Sequence, residues 1–257
     1  AVGLRALDAN TTGTYNTSSG YRALQYNTTG AYNTAHGAWA LYNNTTASNN
    51  TAVWYQAGYS NTTGAGLTAV GYQAGYSTTA NNLTAVGYLA AKFNSTGDFN
   101  TAVGRSAAEN TTTGNYNSSF GYAALYNNTT AGENSAFGAW SLGANTTGLY
   151  NTAVGKDALR YNTTASNNTA VGFQAGYSQT TGGTRGTFIG YQSGYSNQEA
   201  DNTAVGWDSL FSNTYGNYNV AIGRSAVRTN TTGSSNSGLG YGALYSNTTG
   251  ASNSALG

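Results

Sequence analysis

The chain of 257 residues has no Cys, no Pro, no Met and a single His, His36. Without Cys there are no disulfides, thiolate metal sites or thiol nucleophiles. One His without Cys cannot build an ordinary zinc site, and any Ser-His-Asp triad would have to rest on His36 alone. Charge is also scarce: nine basic and eight acidic residues make up 7% of the chain, against roughly 25% in an average soluble domain. A net charge of +1 leaves no basic stripe for nucleic acid and no acidic tail. No apolar run approaches the length of a membrane span, and no secretory leader is evident. The acidic residues Asp8, Asp98, Glu109, Glu133, Asp157, Glu199, Asp201 and Asp208 recur at no fixed place, unlike the Asp of calcium-binding β-roll repeats. Glu199 and Asp201 lie close in sequence, which alone is weak support for acid–base chemistry. No enzyme, metal site or cofactor is expected.

What is abundant is Gly (36 residues), Asn (33), Thr (40) and Tyr (22). Their order is periodic. Aligned on the Gly of the phrase N-T-A-V-G, landmarks fall at 3, 20, 37, 54, 71, 87, 104, 121, 138, 155, 172, 190, 206, 223, 240 and 257. Trp54 takes the landmark place in one copy, and its neighbours keep the register. The spacing is 17 except for two intervals of 16 and one of 18. The whole of 1–257 reads as one array of about fifteen coils, a window of a longer fibre protein.

Seventeen residues are too few for the helix pairs of helical solenoids. Val, Thr, Tyr and Phe favour strands, while Gly and Asn supply turns. The sequence therefore predicts an all-β chain, a parallel β-solenoid or β-roll of about 17 residues per coil. The missing Pro fits this reading. Average usage would place about thirteen in such a chain, and each would remove a ladder N–H.

Each place in the repeat suggests a use. The residue before the landmark is Val, Ile, Leu or Phe in nearly every coil (Val53, Val70, Phe120, Val154, Ile222), with Ser19 and His36 as exceptions. His36 reads as a tolerated variant in that column. The residue before that is small, usually Ala. Alternation puts these two on opposite faces of the strand. One face can be the coil's own core, and the other needs a second surface, either another part of the coil or another chain. The thin core favours another chain, so a homo-oligomer is expected, a trimer or an end-to-end filament. An aromatic column follows the landmark (Tyr55, Tyr72, Tyr88, Tyr122, Phe173, Tyr191, Trp207, Tyr241), and a second contains Tyr59, Tyr76, Phe93, Tyr126, Tyr177, Tyr195, Phe211 and Tyr245. One-coil spacing of about 4.8 Å allows such rings to stack as structural ladders. The alternative use is carbohydrate contact by Tyr55, Tyr72, Tyr88, Tyr122, Tyr191, Trp207 and Tyr241. A third column is the Asn of N-T-T: Asn10, Asn27, Asn44, Asn61, Asn128, Asn145, Asn162, Asn230 and Asn247. It reads first as a turn and an asparagine ladder, and as the alternative, which can coexist, as a row of glycosylation acceptors carrying surface glycans.

The strings N-T-A-V-G (Asn151–Gly155), N-V-A-I-G (Asn219–Gly223) and N-S-A-L-G (Asn253–Gly257) resemble the head repeats of trimeric autotransporter adhesins, and are similar to repeats of phage tail fibres and other bacterial surface fibres. The resemblance implies a parallel β-roll, assembly as a trimer, and a place outside a cell or virion. The N-T-T-G segment reads as an insertion into the shorter repeat of that family. A structural or adhesive extracellular fibre segment is thus the expected role. A carbohydrate-binding or ice-binding solenoid is the alternative, with adjacent Thr pairs pointing to opposite faces and counting against ice.

Overall fold

The computed structural model describes residues 1–257 and consists of strands and turns, with no helix. The chain forms two compact units, Ala1–Gly132 and Glu133–Gly257. The first holds seven three-residue strands, β1 (Thr17–Ser19) to β7 (Ser118–Phe120). The second holds eight, β8 (Ser135–Phe137) to β15 (Ser254–Leu256). Within each unit every strand pairs in parallel with the next one in the chain. Thr51, Ala52 and Val53 lie opposite Thr68, Ala69 and Val70 in the first unit. Thr152, Ala153 and Val154 lie opposite Thr169, Ala170 and Val171 in the second. Register survives the irregular spacings: Thr68 pairs with Thr84 across a short coil, and Thr169 with Thr187 across a long one. Each unit is a parallel β-solenoid with one strand per coil.

Short strands suffice because the turns also bond between coils. After Gly155 the chain makes two hydrogen-bonded turns, with the Ala158 N–H donating to the Gly155 carbonyl and the Asn162 N–H to the Leu159 carbonyl. Asp157 (φ 60°) and Leu159 (φ 48°) are left-handed, as is Asn167 (φ 63°) at the end of the coil. Asp157 at the third place of the first turn has the positive φ of a type II turn, which ordinarily selects Gly or Asn. Alternate handedness aims successive amides in opposite directions. The Asp157 N–H donates to Ala139 in the preceding coil at 2.9 Å, and the Leu159 N–H to Ala175 in the following one at 3.0 Å. The pattern recurs along each unit, and 40 non-Gly residues have positive φ. Each costs about 1–2 kcal/mol. The inter-coil bonds that this handedness allows, repeated through each unit, offset that cost.

The core inverts the bulk ranking of the strand. Ala, not Val, points inward: Ala52, Ala69, Ala102, Ala153, Ala170 and Ala221 are all fully buried. A second Ala from the first turn (Ala57, Ala107, Ala158) and a left-handed Leu (Leu24, Leu41, Leu125, Leu142, Leu159, Leu210) complete it. The strand's outer face carries Thr or Ser in one row, with Val220 the exception, and the aliphatic residue in the other, half exposed at Val154 (38%) and Ile222 (39%). Inward Ala takes up little of the interior, which leaves room there for the polar ladders described next.

The left-handed Leu is replaced by Ala91, Ala108 and Val227 in three coils, and by Gly in two stretches where another residue fills the space. In the first unit Gly58 and Gly75 replace the left-handed Leu, and Leu67 and Leu83 fill the space from the position just before the strand, each fully buried. In the second, Gly176 and Gly194 replace it, and Phe188 takes the strand's inward place and fills the gap.

Candidate functional site

The Asn of N-T-T lies inside the coil. Asn27, Asn44, Asn61, Asn128, Asn145, Asn162 and Asn230 are fully buried, while Asn10 and Asn247 are partly exposed. Each side-chain amide closes its own turn, as Asn162 Nδ2 does by donating to the Ala165 carbonyl at 3.0 Å. Several also donate to the Asn of the preceding coil: Asn44 to Asn27 Oδ1 at 2.7 Å, Asn162 to Asn145 at 2.7 Å, Asn230 to Asn213 at 2.8 Å. This is the ladder expected from the sequence. It corrects the glycosylation reading for the seven buried residues, because a glycan on those nitrogens would have to replace the core. Asn10 and Asn247 donate in the same way, to the carbonyls of Gly13 and Gly250.

A second buried Asn ladder was not anticipated. The Asn that opens N-T-A-V-G accepts the backbone N–H of its counterpart one coil on. Asn168 N–H donates to Asn151 Oδ1 at 3.0 Å, and Asn236 N–H to Asn219 Oδ1 at 2.9 Å. Its amide nitrogen reaches a carbonyl of the next coil, as Asn151 does to Ala165 at 2.9 Å. Here the side chain serves where a strand ladder would otherwise end. The phrase itself carried the signal, a fixed Asn before a strand. Asn151→Ala is expected to lower stability by about 1–3 kcal/mol by orphaning the buried Asn168 N–H, read as a lower denaturant midpoint with an unchanged slope. Asn151→Asp should lose the donor to Ala165 and bury a charge, and so cost at least as much.

The first Thr of N-T-T adds a hydroxyl ladder. Thr28 Oγ1 donates to the Thr45 carbonyl at 3.1 Å, and Thr146 Oγ1 to Thr163 at 3.0 Å. The second Thr is exposed, as at Thr29, Thr46 and Thr164.

The aromatic columns are stacks. Tyr55, Tyr72 and Tyr88 lie with ring centroids 5.4 and 5.2 Å apart and planes within 12°. Where the coil has Ala38 after the landmark, Trp39 one residue later supplies the ring, edge-on to Tyr21 and to Tyr55 at 5.4 Å each. Where the coil has a cation, the guanidinium continues the column: Arg105 lies 5.5 Å from the Tyr88 ring and 5.8 Å from Tyr122, and Arg224 lies 5.1 Å from Trp207 and 5.8 Å from Tyr241. Tyr191 stacks on Phe173 and lies tilted against Trp207. The second column repeats this with Tyr42, Tyr59 and Tyr76, and with Tyr177, Tyr195 and Phe211. A sugar ring packs on an open aromatic face. In these stacks the faces of Tyr55, Tyr72, Tyr88, Tyr191 and Trp207 lie against neighbouring rings or cations, so chiefly their edges are offered outward. A third column, Tyr15 on Tyr32 and Phe99 on Tyr116, stands at left-handed positions. Sequence reading missed it because Asn, Gly, Arg, Asp and Ser fill the same place in other coils.

Electrostatics follow the stacks. Tyr177 is pushed up to about 12, first by its hydrogen bond with Tyr161 and then by burial. Burial raises Tyr59, and the Tyr42 hydroxyl, 3.4 Å from that of Tyr26, raises Tyr26. Asp201 is held low by a two-pronged bond with Arg185, both contacts at 2.7 Å. That pairing ties Asp201 into a coil-to-coil ion pair. His36 sits exposed in the outward aliphatic row. No three His, Asp or Glu residues come together as a metal site, and no helix is long and apolar enough to cross a membrane.

The site that recurs is therefore the coil itself, with its Asn, Thr and aromatic ladders inside and along the wall, and an uncharged Thr–aliphatic strand face outside. Comparison with protein-family models and with characterised proteins found no match to this chain.

Proposed function

We propose that the chain is a structural segment of an extracellular fibre, a stiff spacer or adhesive shaft without catalysis, assembled from several copies. The observation that carries this reading is the outward strand face. A row of Val, Ile, Leu and Phe points away from the core in both units, beside a row of Thr and Ser. Both rows are free of Asp, Glu, Lys and Arg. Aliphatic side chains on a chain with so thin a core add stability only when covered. A surface repeating at one-coil spacing is matched best by another with the same repeat. The resemblance of N-T-A-V-G to surface-fibre repeats supports the same role, and low charge suits a surface in variable salt.

The test is the mass of the native particle by light scattering, with intact-mass spectrometry of the same sample. A trimer supports a shaft whose outward faces meet, and large open-ended particles support end-to-end growth. A stable monomer at high concentration overturns the assembly reading.

A further inference from the structure

We propose that neighbouring coils are poised to be joined by dityrosine, with Tyr15–Tyr32 in the first unit and Tyr177–Tyr195 in the second as the leading pairs. The inference stands on ring geometry within one chain, and holds whether or not the chain is a fibre segment. The Tyr177 and Tyr195 rings lie 4.8 Å apart at 9°, and Tyr15 and Tyr32 lie 5.0 Å apart at 13°. Parallel register sets each ring against its counterpart one coil on. Tyr15 and Tyr32 are 77% and 59% exposed, so their edges are open to an oxidant and the rings have room to tilt together. Tyr42–Tyr59–Tyr76 and Tyr55–Tyr72–Tyr88 extend the same arrangement along two further columns. Stacking alone does not require a phenol, since Phe99 stacks equally well on Tyr116 at 5.0 Å and 1°. The chain nevertheless carries 22 Tyr against 7 Phe. A phenol adds an oxidisable O–H. In a chain without Cys, a link between stacked tyrosines is a covalent tie from coil to coil that this composition permits.

The step balances with hydrogen peroxide, used by a haem peroxidase, as the oxidant. Each phenol gives up one electron and one proton. The two phenoxyl radicals join at ring carbons ortho to oxygen, and the two ring hydrogens displaced there move as protons to the oxygens, restoring both phenols. The peroxide takes up the two electrons and two protons and becomes two waters.

The experiment mixes equal amounts of unlabelled and nitrogen-15-labelled full chain, dilute and native, with peroxidase and hydrogen peroxide. Oxidation of free tyrosine in a parallel tube shows that the oxidant is active. Trypsin cuts at Arg22, between Tyr15 and Tyr32, and at Arg185, between Tyr177 and Tyr195, so each link joins two separate peptides. The expected result is peptide 161–185 joined to 186–224, and 6–22 joined to 23–92, each lighter by two hydrogens and each uniformly labelled or unlabelled. Tyr195→Phe keeps the stack and should remove the Tyr177–Tyr195 link while leaving Tyr15–Tyr32. Tyr116, exposed but stacked on Phe99, should be oxidised without joining its neighbouring coil. Joined peptides of mixed label only, or oxidised tyrosines without joined peptides, would overturn the proposal. So would a Tyr177–Tyr195 yield no greater than that of links to Tyr116.

Discussion

Phe188→Ala is expected to lower the unfolding free energy of its unit by about 3–5 kcal/mol, the range for emptying a buried Phe site that cannot collapse. Phe188 is fully buried and is the largest side chain in the core. It stands where other coils carry Ala, and three glycines make its space. A Cβ on Gly176 would lie 2.9 Å from its Cδ2, one on Gly186 would lie 2.5 Å from its Cε2, and one on Gly194 would overlap its Cδ1. Inter-coil backbone bonds fix the wall around it, with Gly176 donating to Ser193 and Gly194 to Ser209 at 2.9 Å each. Those bonds resist inward collapse. Chemical denaturation of the single variant, with the slope checked for two-state behaviour, measures the loss.

The same geometry makes a sharper statement about coupling. Gly194→Leu in the parent chain should destabilise, because even its Cβ has no room beside Phe188. In the Phe188→Ala background the sign should reverse. Leu there restores the core seen around Leu159 and Leu210, where a left-handed Leu faces an inward Ala. A double-mutant cycle between the two sites therefore has a large favourable coupling term. Additive effects would mean that Phe188 and the glycines are independent, and the reading of the core as two alternative packings would fail.

How much of this could be read in advance depends on whether the signal lay in one position or in a relation between positions. The period and the strand were legible because Gly155, Asn162 and Thr152 each recur at one place and have strong local preferences. The direction of the strand was not legible. Ala153 and Val154 are both apolar, and alternation says only that they part; what decides is the interior space, which already holds Leu159, Asn151 and Asn162. The left-handed residues escaped notice because Leu and Tyr are not turn formers. Leu159 and Tyr32 are held there by bonds to adjacent coils rather than by propensity. The replacement of the left-handed Leu by Gly176 and Gly194, with Phe188 filling the gap, joins residues from two coils and two places in the repeat, so no single-column reading exposes it. The buried ladder through Asn151 and Asn168 was hidden for a different reason. Asn is usually a surface or turn residue, and only a closed ladder of partners lets it enter a core.

At the landmark column the largest effect is expected from adding a single methyl. Gly155 has φ 129°, and a Cβ there would lie 2.5 Å from the Gly172 carbonyl oxygen of the next coil. Backbone on both sides is already bonded: Gly155 N–H donates to Phe137 at 2.7 Å, and Gly172 N–H to Val154 at 2.8 Å. Gly155→Ala must therefore strain its own φ and push two coils apart, an expected cost of about 3 kcal/mol or more. Trp54 shows what the column does with a side chain. Its φ is 102°, against 122–138° for the landmark glycines, and Gly71 beyond it still donates to Val53 at 2.9 Å. The ladder survives, but at the price of a bent backbone under a ring that is 63% exposed and so recovers little by burial. Trp54→Gly should thus stabilise the first unit by about 1 kcal/mol. That is relief of about 1–3 kcal/mol of backbone strain, less about 0.5–1 kcal/mol for the freedom Gly gains in the unfolded chain. Thermal and denaturant midpoints of the two variants check both signs. A loss of stability in Trp54→Gly would show that the ring contributes contacts worth more than the strain it imposes.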